Sequence, residues 1–235
     1  MKFDSILIPA TLIKRYKRFL ADIRFDDGRE CTVHTANTGA MTGCAEPDSR
    51  IWLRDSQNPS RKYPLSWELS SSPEGTMIGI NTHLANVLVE EAIQNSVITE
   101  LQGYSRIRRE IKYGEENSRI DLLLEHDFRV PCYVEVKSVT LVRKNGRAAF
   151  PDAISTRGCK HLRELIQVRQ QGNRAVLVFC IQRNDVVSME AAADIDPIYA
   201  WTMRQAYETG VELLAYRANV TSKSISLSEK INVLL

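Results

Sequence analysis

The stretch Arg119-Ile120-Asp121-Leu122-Leu123-Leu124-Glu125, followed after His126 to Pro131 by Cys132-Tyr133-Val134-Glu135-Val136-Lys137-Ser138-Val139-Thr140, decides how this chain is read. Both segments are rich in strand formers and the connection is short, so they predict an antiparallel hairpin. Leu122 and Leu124 hold the even apolar positions of the first strand, and Cys132, Val134 and Val136 those of the second. Burying both sets on one face places even positions opposite even ones, because a slip of one residue would expose half of them. The odd positions then share the other face, with Asp121 and Glu125 on one strand and Tyr133, Glu135 and Lys137 on the next.

Two carboxylates close together on a sheet face repel each other unless something compensates. A divalent cation does so. Hard oxygens from Asp121 and Glu135, completed by a backbone carbonyl and waters, suit magnesium, or manganese in its place, over a phosphodiester. Lys137 on the same face would stand beside a water on that metal, orienting or deprotonating it or stabilising charge on phosphorus. The same spacing also describes an ordinary salt-bridged polar face. Upstream, His83 to Asn95 reads as a helix capped by Asn81 or Thr82, with an apolar stripe of Leu84, Val87, Leu88 and Ala92. Glu91 falls on that stripe, where a carboxylate is costly unless it meets a metal or a partner, so it joins the candidate metal ligands.

Outward from the hairpin, helices and strands alternate. Arg106 to Tyr113 reads as a strand, Arg157 to Gln171 as a helix, Arg174 to Gln182 as a strand buried on both faces, 196 to 209 as a helix and Val211 to Arg217 as a strand. A helix-turn-helix near Trp201 to Val220 is disfavoured because Val211 and Leu213 read as strand where a recognition helix should begin. Residues 1 to about 80 differ in texture, with short alternating segments of a small β-barrel. Phe19, Ala21, Ile23 and Phe25 alternate with polar neighbours, Asp26-Asp27-Gly28 turns the chain, and Glu30 to Thr35 returns as a hairpin strand. Ile51 to Leu53, Trp67 to Leu69 and Met77 to Ile80 follow. The expected class is therefore α/β (α+β), with a barrel over 1–80 and a mixed-sheet domain over 81–235.

The chain has 235 residues, is 43% hydrophobic and has a net charge of +2, which suits one large core or two modest ones. It shows neither an apolar run of membrane-spanning length nor a secretory signal, and its five cysteines form no C-x-x-C pair. Reduced thiols and a cytoplasmic location are expected. Arg143, Lys144, Arg147, Arg157, Lys160 and Arg163 face a single nearby acid, Asp152, so this stretch either neutralises phosphates or is solvated surface. On the helix from Arg157, the residues Leu162, Leu165 and Ile166 face the core, leaving Arg157, Lys160, His161 and Glu164 on the opposite face. That face either reaches a phosphate or is simply solvated. Oligomeric state is left open.

Asp121 followed by a hairpin strand bearing Glu135-x-Lys137 resembles the PD-(D/E)xK nuclease core, and Glu91 looks like the helix glutamate that many members add. Ile120 stands where the motif has proline. More widely, the chain resembles the sugar fermentation stimulation protein A family. The residues that carry this are Asn37-Thr38-Gly39-Ala40-Met41, Arg61-Lys62-Tyr63-Pro64, Asn81-Thr82, Tyr113-Gly114, Ser118 to Asp121, Tyr133 to Thr140, Phe150-Pro151-Asp152-Ala153 and Arg157-Gly158-x-Lys160-His161-Leu162. The resemblance implies an N-terminal OB-fold barrel, a C-terminal nuclease-like domain, non-specific DNA binding and a regulatory role in maltose metabolism. An OB barrel would hold single strands through aromatic and basic residues, for which Tyr16, Lys17, Arg18, Arg61, Lys62, Tyr63 and Trp67 are candidates, although each also suits barrel core or surface. Asn37 to Met41 either turns a loop toward a phosphate or forms a tight turn. Phe150-Pro151-Asp152 is expected to form a loop over the site, contacting substrate or serving only as a turn. Two functions follow: a magnesium- or manganese-dependent nuclease, or a non-catalytic DNA-binding regulator.

Overall fold

A computed structural model describes all residues from Met1 to Leu235. Six strands build the N-terminal unit: β1 (Ile8–Tyr16), β2 (Leu20–Arg24), β3 (Glu30–Thr35), β4 (Arg50–Asp55), β5 (Leu65–Ser71) and β6 (Met77–Gly79). They lie in the order β3-β2-β1-β4-β5-β6, and a parallel bridge between β3 and β5 closes the first five into an OB-type barrel. The hairpin read around Asp26-Asp27-Gly28 is β2–β3, with Ala21 opposite Val33 and Ile23 opposite Cys31. Trp67 is fully buried and donates its indole N–H to the Leu69 carbonyl at 2.9 Å. It packs the barrel, so no base can stack on it.

The second unit comprises α1 (Leu84–Gln94), β7 (Arg106–Tyr113), β8 (Ser118–His126), β9 (Arg129–Val139), β10 (Val142–Arg143), β11 (Arg147–Phe150), α2 (Thr156–Gln170), β12 (Arg174–Ile181), β13 (Ser188–Ala191), α3 (Pro197–Glu208), β14 (Glu212–Val220) and β15 (Ile225–Leu234). Its mixed sheet runs β10-β11-β13-β15-β14-β12-β9-β8-β7. Central β12 pairs in parallel with β9 and β14, and its side chains alternate between two cores. Val176, Val178 and Cys180 pack on the α1 side, while Ala175, Leu177, Phe179 and Ile181 pack on the side of α2 and α3. A strand buried on both faces is what its unbroken apolar run predicts. After α3 the chain continues as β14, so no recognition helix follows the turn.

The first residues belong with this second unit rather than with the barrel. Lys2 bridges Ser224, and the Phe3 N–H bonds the Lys223 carbonyl at 3.0 Å. All five cysteines are free, and all but Cys31 are buried. No helix is long and apolar enough to cross a membrane.

Glu100, in the turn after α1, ties that connection to the sheet. Burial alone would raise its carboxyl, but hydrogen bonds from Lys230 Nζ and the Tyr216 hydroxyl outweigh burial and bring it down to about 2. A depressed carboxylate stabilises the fold above its unfolded value, and that stabilisation fades as pH falls toward the folded value. Acid titration of the melting temperature should therefore show a loss between about pH 4.5 and 2. Glu100→Gln should remove that part of the loss; an unchanged acid profile would place the pH dependence elsewhere.

Candidate active site

The site forms where β8 parts from β9. Leu122 pairs with Val134 and Leu124 with Cys132, so even positions do face even ones, and Val136 joins them in the core beneath α1. The odd face is not a bare polar surface, however, because Leu123 and Val139 lie in the second core under α2. The β7–β8 ladder passes from Arg109↔Leu122 to Ile111↔Ile120, dropping Glu110 and Asp121 from the pairing. Ile120 consequently packs on the α2 side although Leu122, of the same parity, packs on the α1 side. Asp121 sits at this break and its Oδ2 accepts the Val136 N–H at 2.7 Å. Its side chain thus satisfies a donor that the departing strand no longer reaches.

Glu135 is 2% exposed, and its Oε1 accepts from Lys137 Nζ at 2.6 Å and meets His161 Nδ1. Arg157 Nε lies 3.3 Å from the other ring nitrogen of His161. Burial alone would raise the Glu135 carboxyl, but Lys137 and His161 outweigh it and hold the group below its ordinary value. Asp121 goes the other way. Burial and the adjacent Glu135 charge push it up to about 6, against the pull of the Val136 N–H, Asn86 and Lys137. Two neighbouring carboxylates driven apart in acidity share one cleft, a cavity of about 660 Å³ that Lys137, Arg157 and His161 also line.

Glu135 Oε2 is buried and has no hydrogen-bond partner. A desolvated carboxylate oxygen without compensation is costly, and a hard divalent cation between Glu135 and Asp121 would supply what is missing. No three Asp, Glu, His or Cys side chains are placed so that together they could hold a metal ion. The remaining donors would be backbone carbonyls and waters, which magnesium readily keeps. The residues present therefore fit such an ion.

Glu91 does not reach the cleft. Helix α1 buries Ala85, Leu88, Val89, Ala92 and Ile93, a stripe rotated from the expected one. Glu91 accordingly points to the Met1 ammonium, 2.5 Å away. Asn86 is the α1 residue at the site, donating to Asp121 Oδ1 at 2.9 Å. The far face of α2 is not solvated throughout: His161 is buried against Glu135 and Lys137 of β9, and Glu164 beneath the tip of the β7–β8 hairpin. Arg157 is exposed and Lys160 partly so.

Asn37 to Gly39 and Asp152 form a wall of the cleft that joins the two units. Asp152 Oδ2 accepts the Met41 N–H at 3.1 Å, and a Cβ on Gly39 would lie only 2.6 Å from that same oxygen. The close approach that Gly39 permits is thus to Asp152. Lys17, Arg18, Arg61, Lys62 and Tyr63 do not line the cleft. Lys17 and Arg18 turn β1 into β2 with positive φ, and Lys62 lies over the Tyr63 ring in the loop between β4 and β5. Asn86 and Glu110 were not anticipated. Asn86 gives no periodic signal, and Glu110 stands out only as the one acid within the basic run Arg106 to Lys112.

Two family descriptions match the chain in order: the SfsA N-terminal OB domain over residues 13–80 and the sugar fermentation stimulation protein RE domain over 83–224. The RE domain is the restriction-endonuclease-like fold. A sugar fermentation stimulation protein homolog of Shewanella piezotolerans is 52% identical over 227 residues, covering 97% of each chain. One of Aeromonas hydrophila is 52% identical over 228 residues, covering 96% of this chain and 92% of that one. The solved structure of Pyrococcus furiosus SfsA in complex with Ca2+ superposes with a TM-score of 0.88 at 27% identity, over 100% of this chain and 98% of that chain. With both of its units matched in sequence order and relatives aligned over nearly its whole length, this chain belongs to the sugar fermentation stimulation protein A family.

Proposed function

We propose that the chain is a divalent-metal-dependent nuclease that binds nucleic acid, DNA in the first instance, in the cleft between its barrel and its nuclease-like domain. The observation that carries this reading is the buried, unpartnered Oε2 of Glu135 beside Asp121. A protein that only held DNA would gain nothing from two acids facing a polyanion, since they repel it. The relative from Pyrococcus furiosus, described as a complex with Ca2+, adds support, because calcium shares magnesium's preference for oxygen donors.

Magnesium or manganese, when bound, supplies Lewis acidity toward a phosphoryl oxygen. Asp121 and Glu135 would hold it. Asn86 and the Val136 N–H fix the Asp121 carboxylate, and His161 fixes that of Glu135. Lys137 places an ammonium beside Glu135, where it can orient an attacking water or stabilise charge that builds on the phosphate. Arg157 stands at the mouth to meet a phosphate. A cytoplasmic setting, in keeping with the unpaired thiols, belongs to the same reading.

The test is incubation of the purified chain with circular, linear, branched and single-stranded DNA and with RNA, in magnesium, in manganese and in chelator. Metal-dependent cleavage of at least one substrate is expected. Binding without cleavage of any of them would leave a DNA-binding regulator as the surviving function.

A further inference from the structure

Beside the cleft lies a second groove of about 470 Å³, lined by no hydrophobic residue. Its walls are the tip of the β7–β8 hairpin, with Lys112, Asn117, Ser118 and Arg119, and the first turns of α2, with Arg157 and Lys160. Glu110, Arg157 and His161 line both cavities, so the groove continues the cleft. We propose that this groove is a phosphate subsite, which seats a nucleic-acid phosphate next to the one at Asp121 and Glu135. The proposal rests on the nuclease reading for its substrate class but not for its measurement.

Three features carry it. First, neighbouring Arg109 and Arg163 are held by Glu90 and Glu116, whereas Lys112, Arg119, Arg157 and Lys160 make no ion pair. Four cations facing a lone acid, Glu110, concentrate positive potential that a polyanion would offset. The N-terminal end of the 15-residue α2 adds its dipole to the same wall. Second, Ser118 is 4% exposed and its Oγ has no hydrogen-bond partner. A buried hydroxyl in that state lacks a partner within the chain, and a phosphate oxygen would provide one. Third, the hairpin tip is held in place. Glu164 of α2 accepts the N–H groups of Glu115 and Glu116 at 3.1 and 2.7 Å, so the cations are presented on a fixed turn. Two kinds of nucleic-acid phosphate share this chemistry, the internal diester and the terminal monoester.

The experiment is a salt titration of oligonucleotide binding to the full chain in chelator, where no metal-dependent cutting intervenes. Duplexes and single strands are used with and without terminal phosphates. Lys112→Ala/Arg119→Ala should weaken duplex binding about tenfold at low salt and flatten the log–log salt slope by about 1.8, since each phosphate contact contributes about 0.9. Ser118→Ala should weaken binding several-fold with an unchanged or higher melting temperature, because the hydroxyl it removes makes no internal bond. A loss confined to terminally phosphorylated oligonucleotides identifies the monoester, and an equal loss with and without that group identifies the diester. A charge-matched variant at exposed positions elsewhere, Arg204→Ala/Lys223→Ala, should keep the parent slope. The proposal is overturned if the groove variant retains the parent's affinity and slope, if both double variants lose equally, or if the parent binds no nucleic acid. A chain that binds in this way yet cuts nothing would sink the nuclease reading while the subsite stands.

Discussion

Asp121→Asn is expected to lower metal-dependent cleavage on the order of 10³-fold, because a metal's charge stabilisation is worth several kcal/mol and each ~1.4 kcal/mol is tenfold. The same variant should fold. Asn keeps the shape of Asp and one of its two hydrogen bonds, to Val136 or to Asn86. Losing the other, a bond to a charged acceptor, costs about 1.5–3 kcal/mol. Removing a charge that repels Glu135 offsets part of that cost. A second measurement separates metal loss from misfolding. Saturating the parent with magnesium or manganese at about 100 times its dissociation constant should add about 2.7 kcal/mol of stability, on the order of 5–10 °C in melting temperature. Asp121→Asn should melt at or a few degrees below the metal-free parent and show almost none of that rise. Retained cleavage in Asp121→Asn, or a parent whose melting temperature ignores both metals, would remove Asp121 from the metal site.

Much of this site is legible in the order of residues, and what is not has a physical cause. The pairing of Leu122 with Val134 follows from the need to bury even positions together, because a hairpin strand with a buried face admits one register. β12 is legible for a similar reason, since a run from Ala175 to Ile181 without a polar residue suits only a strand covered on both sides. β1 is not. Its pairing with β2 shifts register between Leu12 and Lys14, which breaks the alternation that would have revealed it. Periodicity also reports which face of an element is apolar, never what covers the rest. His161 and Glu164 are polar and lie off the Leu162–Leu165 stripe, yet β9 side chains bury the first and a hairpin from earlier in the chain closes over the second. The break at Asp121 is hidden for the same reason. It depends on β7, β8 and β9 jointly, and a single strand's pattern carries no sign of it.

The motif Tyr113-Gly114 acquires a cause in that covering hairpin, and with it the largest stability effect expected of a single methyl group. Gly114 adopts φ +70°, and a Cβ there would fall 1.7 Å from Glu164 Oε2. That carboxylate is fully buried and is compensated by the backbone N–H groups of Glu115 and Glu116. Gly114→Ala forces it to withdraw, giving up two charge-assisted hydrogen bonds in a place without water. At roughly 1.5–3 kcal/mol for each bond and about 1 kcal/mol for a left-handed alanine, the cost is about 4–7 kcal/mol, a large share of a typical domain's stability. Denaturant melts should show this as a lower midpoint. The mechanism is specific enough to be separated from general crowding by a double-mutant cycle. In a Glu164→Ala background the side chain in the way is gone, so Gly114→Ala should then cost only the left-handed strain, about 1 kcal/mol. Equal costs in the two backgrounds would mean that Glu164 does not set the turn. The same cycle read by oligonucleotide binding in chelator should show weaker affinity wherever the turn is loosened, since Lys112 and Arg119 flank it in the β7–β8 ladder.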